Sequence, residues 1–269
     1  MLKCGITGFN GNLGKTFLKY KKKFNYIKFK GDISKKNEVD DWIKKNDFQI
    51  LIHFAALVPT LSVNQNYKYA LKVNYMGTKY LVDAIVKYKK NIDWFFFSST
   101  SHVYPLQIRK IKENFKTNPS SKYGKTKLLS ENYIKKKFDK IQIKYCIGRI
   151  FSIFDNNQKG FFKPNLLKKI KQKSKKIILN NLNHNRDFLS TKQISEIIFF
   201  LQKKKFIGTI NIASGRKTNL RTIAKIFAKK AGKKIIFYPN SPTTLIANIN
   251  KLEKLGFKQK KLNFGRYFN

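Results

Sequence analysis

Leu2-Lys3-Cys4-Gly5-Ile6-Thr7-Gly8-Phe9-Asn10-Gly11-Asn12-Leu13-Gly14 opens the chain with an apolar run followed by three evenly spaced glycines. Residues 2–7 read as a short strand. Leu13, Phe17 and Leu18 then recur at helical spacing. Gly8, Gly11 and Gly14 therefore lie between a strand and a helix. Glycine permits a tight turn and close backbone approach, and a helix start offers N–H groups to a pyrophosphate. The spacing is G-x-x-G-x-x-G rather than G-x-G-x-x-G, so nucleotide binding competes with an ordinary glycine-rich turn. Its place directly after an N-terminal strand favours the nucleotide.

Working outward, strand and helix signals alternate. Residues 26–30 read as a second strand, ending in Gly31-Asp32-Ile33. Residues 49–54 read as a third, closing on Ala55-Ala56, where small residues either admit a flat ring or simply pack. Residues 66–88 carry Tyr69, Val73, Met76, Tyr80 and Ala84 at helical spacing and predict one long helix. Asn74, on or beside that face, is either a buried hydrogen-bonding strut or exposed. Trp94-Phe95-Phe96-Phe97 is a buried-strand run ending in Ser98-Ser99-Thr100, and residues 143–150 form another strand. This alternation predicts an α/β fold with a doubly wound parallel sheet. Hydroxyls at the carboxyl end of a central strand lie where such sheets bind ligands. The pattern changes at Asn156-Asn157-Gln158-Lys159-Gly160. The expected organisation is a dinucleotide-binding domain over 1–155 and a smaller substrate-binding lobe over 156–269 that partly returns to the sheet.

Composition narrows the class. The chain has 269 residues, 42% hydrophobic and 14% aromatic, enough for a sizeable core. No apolar run approaches the length of a membrane span, and the N-terminus lacks a leader-like apolar region, so a cytoplasmic location is expected. Cys4 and Cys146 sit in apolar, strand-like stretches and read as buried thiols. His53, His102 and His184 are isolated, so no metal site is expected. The formal charge of +44 suits a polyanion-binding surface. Yet only six of the 58 basic residues are Arg, and the Lys are spread along the whole chain with abundant Asn, Ile and Phe. That distribution reads as compositional bias, with no specific nucleic-acid partner, though it would attract an anionic substrate.

The chemistry centres on Tyr123-Gly124-Lys125-Thr126-Lys127. A phenol with a pKa of about 10 is a poor base at neutral pH. A Lys four residues on shares its helical face, and its ammonium would lower that pKa. The spacing alone is weak, since Tyr26, Tyr75 and Tyr133 are also followed by Lys at the fourth position. Its neighbours single out Tyr123: the helix start at Pro119-Ser120-Ser121, the hydroxyl strand ending at Thr100, and the glycine turn.

In order along the chain, these segments resemble the extended short-chain dehydrogenases/reductases, the nucleotide-sugar epimerase and dehydratase group. Thr7 to Gly14 is similar to the cofactor turn, Asp32-Ile33 to the adenine-contacting pair, and His53-Phe54-Ala55-Ala56 to the small-residue motif after the third strand. Val73-Asn74-Tyr75-Met76-Gly77-Thr78 resembles the helix motif with a structural Asn. Ser98-Ser99-Thr100, with Val103-Tyr104 following, resembles the strand bearing the catalytic hydroxyl. Arg149 and Ser152 fall in the stretch flanking nicotinamide and substrate, and Arg186-Asp187-Phe188 is similar to the motif whose Arg grips the nucleotide.

The resemblance implies NAD or NADP as cofactor. It implies cofactor binding by Gly8, Phe9, Asn10, Gly11, Asn12, Leu13, Gly14, Asp32, Ile33, Phe54, Ala55, Ala56, Asn74, Ser98, Tyr123 and Lys127. Substrate binding falls to Thr100, Ser152 and Arg186. It implies that Thr100 holds the reacting oxygen, Tyr123 moves its proton, and Lys127 tunes the phenol. His102 takes the place of a dehydratase Glu or of a proton-transferring Cys in the GDP-fucose synthase type. It is either a second proton site or a packing residue. The pair Ser101-His102 in place of Asp-Glu argues against a 4,6-dehydratase. Lys28-Phe29-Lys30 at the end of the second strand leans toward NADP. The expected protein is an NAD(P)-dependent oxidoreductase of a nucleotide-activated sugar, a 4-epimerase or a 4-keto-sugar reductase, working as a homodimer. Competing classes are a non-catalytic dinucleotide-binding regulator on the same fold and a polyanion-binding protein.

Overall fold

Trp94, Phe95, Phe96 and Phe97 are all buried, as a strand covered on both faces requires. The computed structural model describes residues 1–20, 23–58, 60–155 and 162–268. It places this run in the six-stranded sheet made by β1 (Lys3–Thr7), β2 (Asn25–Lys28), β3 (Ile50–His53), β4 (Trp94–Thr100), β5 (Tyr145–Ile150) and β6 (Gly208–Ile212). The order is β6-β5-β4-β3-β1-β2, and the pairs from β2 through β5 are parallel. The expected α/β doubly wound sheet is observed. β2 lies on one side of β1 and β3 on the other, so the winding reverses between β1 and β3. Their carboxyl ends, at Thr7–Gly8 and His53–Phe54, are where such a sheet opens a ligand crevice.

The chain forms two compact units, each assembled from several segments of the sequence. The first comprises Met1–Pro105, Lys116–Ile150 and Ser195–Ile210. The second comprises Leu106–Phe115, Phe151–Ile194 and Asn211–Asn269. The polar break at Asn156–Gly160 lies outside the described residues.

In the first unit, α1 (Asn12–Leu18) follows the glycine turn, and α2 (Lys36–Lys45), α3 (Gly77–Lys87) and α4 (Lys122–Ile141) cover the sheet. Val39 and Ile43 of α2, Leu81 and Ile85 of α3, and Ile134 and Phe138 of α4 join Leu51, Phe95, Phe97 and Ile147 in one core. Phe96 instead meets Phe54, which meets Phe17, which stacks on Phe199 at 4.4 Å. Alternate residues of β4 thus serve opposite faces of the sheet.

The long helix expected over 66–88 is not one regular helix. Tyr67–Leu71 and α3 are joined by a π turn at Lys72–Met76, where the Gly77 N–H bonds back to the Lys72 carbonyl. The widened turn turns the Asn74 carbonyl toward side chains: Thr78 Oγ1 donates to it at 2.7 Å and Ser130 Oγ at 3.0 Å. Such π turns concentrate at functional sites.

The second unit buries Leu220, Ile223, Ala224, Phe227 and Ala228, the apolar stripe of Leu220–Lys230, whose start is capped by the Asn219 side chain. Phe154 is its hub, edge-on to Phe188, Phe227, Phe264 and Tyr267. Its strands are short: Thr218–Asn219, His184–Arg186 and Thr243–Leu245 form one sheet, and Lys234–Phe237 pairs with Lys176–Leu179. Among the described residues, no helix is long and apolar enough to cross a membrane.

Candidate active site

The glycine turn is a cradle that side chains would fill. Gly8 adopts φ +68°, which glycine tolerates and larger residues rarely do. A Cβ there would fall 2.5 Å from the Ala55 nitrogen, and one on Gly14 would fall 2.4 Å from the Gly8 carbonyl oxygen. The turn is thus drawn against the segment after β3, and Gly11 is exposed at the start of α1. Asn12 adds a buried side-chain amide with no hydrogen-bond partner. A buried donor costs free energy until an acceptor arrives. The turn therefore fits a dinucleotide, whose phosphate oxygens are acceptors that can approach bare backbone. Phe9, Asn10 and Leu13 complete the turn. Asp32 and Ile33 follow β2, with the Asp32 carboxylate accepting the Ser34 N–H at 2.9 Å. That bond holds its carboxyl below the ordinary value.

A chain of buried polar groups runs from this turn to α4, the helix that carries Tyr123 and Lys127. The Thr7 hydroxyl lies 2.6 Å from His53 Nδ1 and accepts the Ala55 N–H at 3.2 Å. His53 Nε2 lies 2.9 Å from Thr78 Oγ1, whose own proton goes to the Asn74 carbonyl. Burial and the Lys127 charge push His53 down to about 3, so the ring is neutral at physiological pH. The proton inventory then fixes its tautomer. Thr78 has no second proton to give, so Nε2 donates to it, and Nδ1 accepts from Thr7. Asn74 takes the Leu57 N–H on Oδ1 at 2.6 Å and donates to the Leu57 carbonyl and to Thr126 Oγ1. Thr126 donates to the Tyr123 carbonyl at 2.8 Å. Asn74 is therefore the buried strut. It pins the backbone of Leu57, directly after Ala55-Ala56, on one side and, through Thr126, the backbone of Tyr123 on the other.

Thr100, Tyr123 and His102 are brought together, and Lys127 follows Tyr123 by about one turn of α4. Ser121 caps α4 by accepting the Gly124 N–H at 3.0 Å, which starts the helix where Tyr123 sits half-buried. A Cβ on Gly124 would fall 2.2 Å from the His102 carbonyl oxygen, so this glycine lets α4 close on the turn after β4. Thr100 Oγ1 accepts the His102 N–H at 3.2 Å and hydrogen-bonds the Tyr123 phenol. The exposed His102 ring is edge-on to Tyr123, 6.0 Å between centroids. Ser98 Oγ donates to the His53 carbonyl at 3.1 Å.

The electrostatics depart from the expected tuning of the phenol by Lys127. Burial pushes the Tyr123 hydroxyl above its ordinary value, and the opposing influence is the Thr100 hydrogen bond. Lys127 is itself buried, with its ammonium 4.1 Å from the centre of the Phe97 ring. Burial brings it down to about 7, with the Glu131 carboxylate acting the other way.

Two residues carry more than sequence reasoning gave them. Glu131, one turn beyond Lys127, is fully buried and paired to Arg149 at 2.7 Å. It also accepts from Ser99 Oγ, while Arg149 donates to the Tyr104 hydroxyl at 2.8 Å. Arg149, expected to flank nicotinamide and substrate, is committed to this ion pair. A carboxylate four residues after Lys127 and two basic–acidic neighbours on adjacent elements were the available signals.

Ser152 and Arg186 belong to the second unit. Ser152 donates its N–H to the Asp187 carbonyl at 2.9 Å. The Arg186 guanidinium donates to the Asn185 and Thr243 carbonyls and to Thr243 Oγ1. Burial lowers its pKa. Among the described residues, no group of three or more His, Cys, Asp or Glu could hold a metal.

A glycine cradle at the switch point of a doubly wound sheet, with Thr100 at the end of the neighbouring strand β4 and Tyr123 and Lys127 on α4, defines a dinucleotide-dependent oxidoreductase fold. Residues 5–261 match the family model described as GDP-mannose 4,6 dehydratase, and the chain belongs to this family of NAD(P)-dependent nucleotide-sugar enzymes within the extended short-chain dehydrogenases/reductases. It is 28% identical over 234 residues to a putative UDP-glucose 4-epimerase of Methanocaldococcus jannaschii, covering 82% of this chain and 75% of the relative. It is 28% identical over 226 residues to a GDP-6-deoxy-D-talose 4-dehydrogenase of Aggregatibacter actinomycetemcomitans, covering 80% and 75%. RMD of Pseudomonas aeruginosa, solved with NADPH, superposes with a TM-score of 0.89 at 16% identity, covering 100% of this chain and 95% of that one.

Proposed function

We propose that the chain reduces the C4 carbonyl of a nucleotide-activated keto sugar, with Thr100 and Tyr123 at the reacting oxygen. The observation that carries this reading is the Tyr123 phenol set beside Thr100, where burial holds it above its ordinary pKa against the opposing influence of the Thr100 hydroxyl. A neutral phenol is a proton donor, and a carbonyl being reduced needs one. A bound nicotinamide dinucleotide supplies the hydride. Thr100 orients the substrate oxygen, Tyr123 gives it a proton, and the Lys127 ammonium compensates the charge left on the phenolate. Asn74, through Thr126, fixes the Tyr123 backbone. Gly8 to Gly14, Asp32, Ile33, Phe54 to Ala56, Ser98 and Lys127 hold the cofactor. Ser152 and Arg186 hold the nucleotide sugar, the guanidinium meeting the diphosphate. His102 is a second proton site beside Tyr123.

The names of the curated relatives support chemistry at sugar C4 and keep epimerisation as the second reading, in which the cofactor regains what it gives. The enzyme works as a cytoplasmic homodimer through the helical segments near 66–88 and 121–138. The test is Tyr123→Phe, assayed by NAD(P)H absorbance and product analysis on 4-keto and 4-hydroxy nucleotide sugars. Turnover is expected to fall by about 10²-fold or more with dinucleotide binding intact. A Phe variant with full turnover overturns the assignment. Sugar interconversion without net cofactor consumption replaces the reductase by the epimerase.

A further inference from the structure

We infer that the chain selects NADP(H) over NAD(H), with Lys28, poised over the ring of Phe9, as the anchor of the adenosine 2′-phosphate. This rests on the reading of the glycine turn as a dinucleotide site.

The β1–β2 register carries the first part of the argument. Lys28 pairs with Ile6, and the Phe29 N–H bonds the Ile6 carbonyl at 2.9 Å. Lys28 is therefore the last residue of β2, level with the strand that runs into Gly8. The adenosine ribose of a dinucleotide lies at this strand end in doubly wound sheets, where an acidic residue accepts the 2′-hydroxyl of NAD and a basic one accommodates the phosphate of NADP. The exposed Lys28 ammonium lies 5.6 Å from the centre of the Phe9 ring, within the glycine turn itself. A cation at that distance is attracted to the ring face. A long, flexible side chain is thereby held beside the cofactor turn. Lys30, exposed two residues on, adds a second positive charge at the same edge.

The carboxylates near this edge are engaged with the loop that follows β2. Asp32 Oδ1 accepts the Ser34 N–H at 2.9 Å. Glu38 Oε2 accepts the Asp32 N–H at 2.7 Å, and Oε1 pairs with Lys35 at 3.0 Å. Both acids fold the loop after β2 onto the start of α2. The strand end itself, Lys28-Phe29-Lys30, holds no side-chain acceptor for a ribose hydroxyl pair and two cations for a phosphate dianion.

The experiment is equilibrium binding of NADPH and NADH to the wild-type chain and to Lys28→Ala, followed by nucleotide fluorescence and by calorimetry. Lys28 is exposed, so its truncation leaves the core intact. A charge-assisted contact predicts NADPH binding about tenfold or more tighter than NADH in the wild type. Lys28→Ala should bring the ratio close to one by weakening NADPH and leaving NADH unchanged. The NADPH affinity should also fall more steeply with salt than the NADH affinity. Equal or NADH-favouring affinities in the wild type overturn the inference, as does a ratio that survives Lys28→Ala. Binding of neither dinucleotide overturns the cofactor reading itself.

Discussion

Each compact unit buries one carboxylate completely, and the two are stabilised by opposite means. Glu131 in the first unit faces a cation: Arg149 approaches it through Nε and NH2, with Ser99 as a further donor. Asp187 in the second unit is held by amides: the N–H groups of Ser214 at 2.7 Å, Gly215 at 2.9 Å and Ala247 at 3.3 Å, with the Ser214 hydroxyl at 2.6 Å. The consequences differ. A cation compensates charge with charge, and Glu131 also supports the charge of Lys127. Amide dipoles compensate less, and burial still pushes the Asp187 carboxyl above its ordinary value against all four bonds. The first arrangement fixes a charge beside the chemistry. The second uses a carboxylate as a knot that ties three backbone segments.

The contrast breaks most sharply at Glu131. Glu131→Gln keeps the shape and removes the charge that the Arg149 guanidinium faces at 2.7 Å. Breaking one side of a buried pair costs about 3–5 kcal/mol. The two tryptophans, Trp42 and Trp94, both lie in the first unit, so their fluorescence in a urea titration reports that unit. A loss under about 1 kcal/mol would show that the pair carries no weight. Replacing both residues by Met should recover much of the loss, because hydrophobic replacement of a whole buried pair is often neutral.

What was legible in the sequence follows from how local each signal is. The run Trp94–Phe97 and the glycine turn each carry their meaning within a few residues, so the sheet and the turn after its first strand could be read directly. Tyr123 was singled out because a helix start, a hydroxyl strand and that turn converge on it. The π turn at Lys72–Met76 was not legible, since one widened turn barely alters an i, i+3, i+4 pattern. Glu131 was missed for a different reason. A carboxylate in a Lys-rich helix reads as solvent-facing, and only the fold brings Arg149 to it. His53, Thr78 and Thr126 are unremarkable singly and acquire a role as links between distant segments. In the second unit, strands such as Thr218–Asn219 are too short for any period to register.

Asp187→Asn tests the other half of the contrast. Asn offers one acceptor oxygen and turns an NH2 toward donors, so either the Ser214 side or the Gly215–Ala247 side loses its partner. An unsatisfied buried donor costs about 1–3 kcal/mol, less than the broken ion pair above. Hydrogen exchange at Ser214, Gly215 and Ala247 reads this locally. The pH dependence carries a sign. The native state holds the Asp187 proton more tightly than the unfolded chain, so its contribution is fully present below the ordinary carboxyl value of 3.8 and is lost as pH rises through the raised native value. Opening free energies at these amides, corrected for intrinsic exchange, should fall with pH in the wild type and stay flat in Asp187→Asn. A flat wild-type profile would mean that the amides compensate the charge as fully as Arg149 does.

The smallest effect separates charge from hydrogen bonding on the same cation. Arg149 donates to the Tyr104 hydroxyl at 2.8 Å, and its guanidinium lies 4.7 Å from the centre of that ring. Tyr104→Phe keeps the stacked face and deletes one neutral acceptor. If Glu131 supplies the compensation and Tyr104 only orients the fork, the cost should be about 0.5–1.5 kcal/mol by the same fluorescence titration. A cost matching that of Glu131→Gln would put the phenol on equal footing with the carboxylate. The pair would then be a three-membered network in which removing any partner strands the rest, and the difference between the two units would lie in the number of partners rather than in their charge.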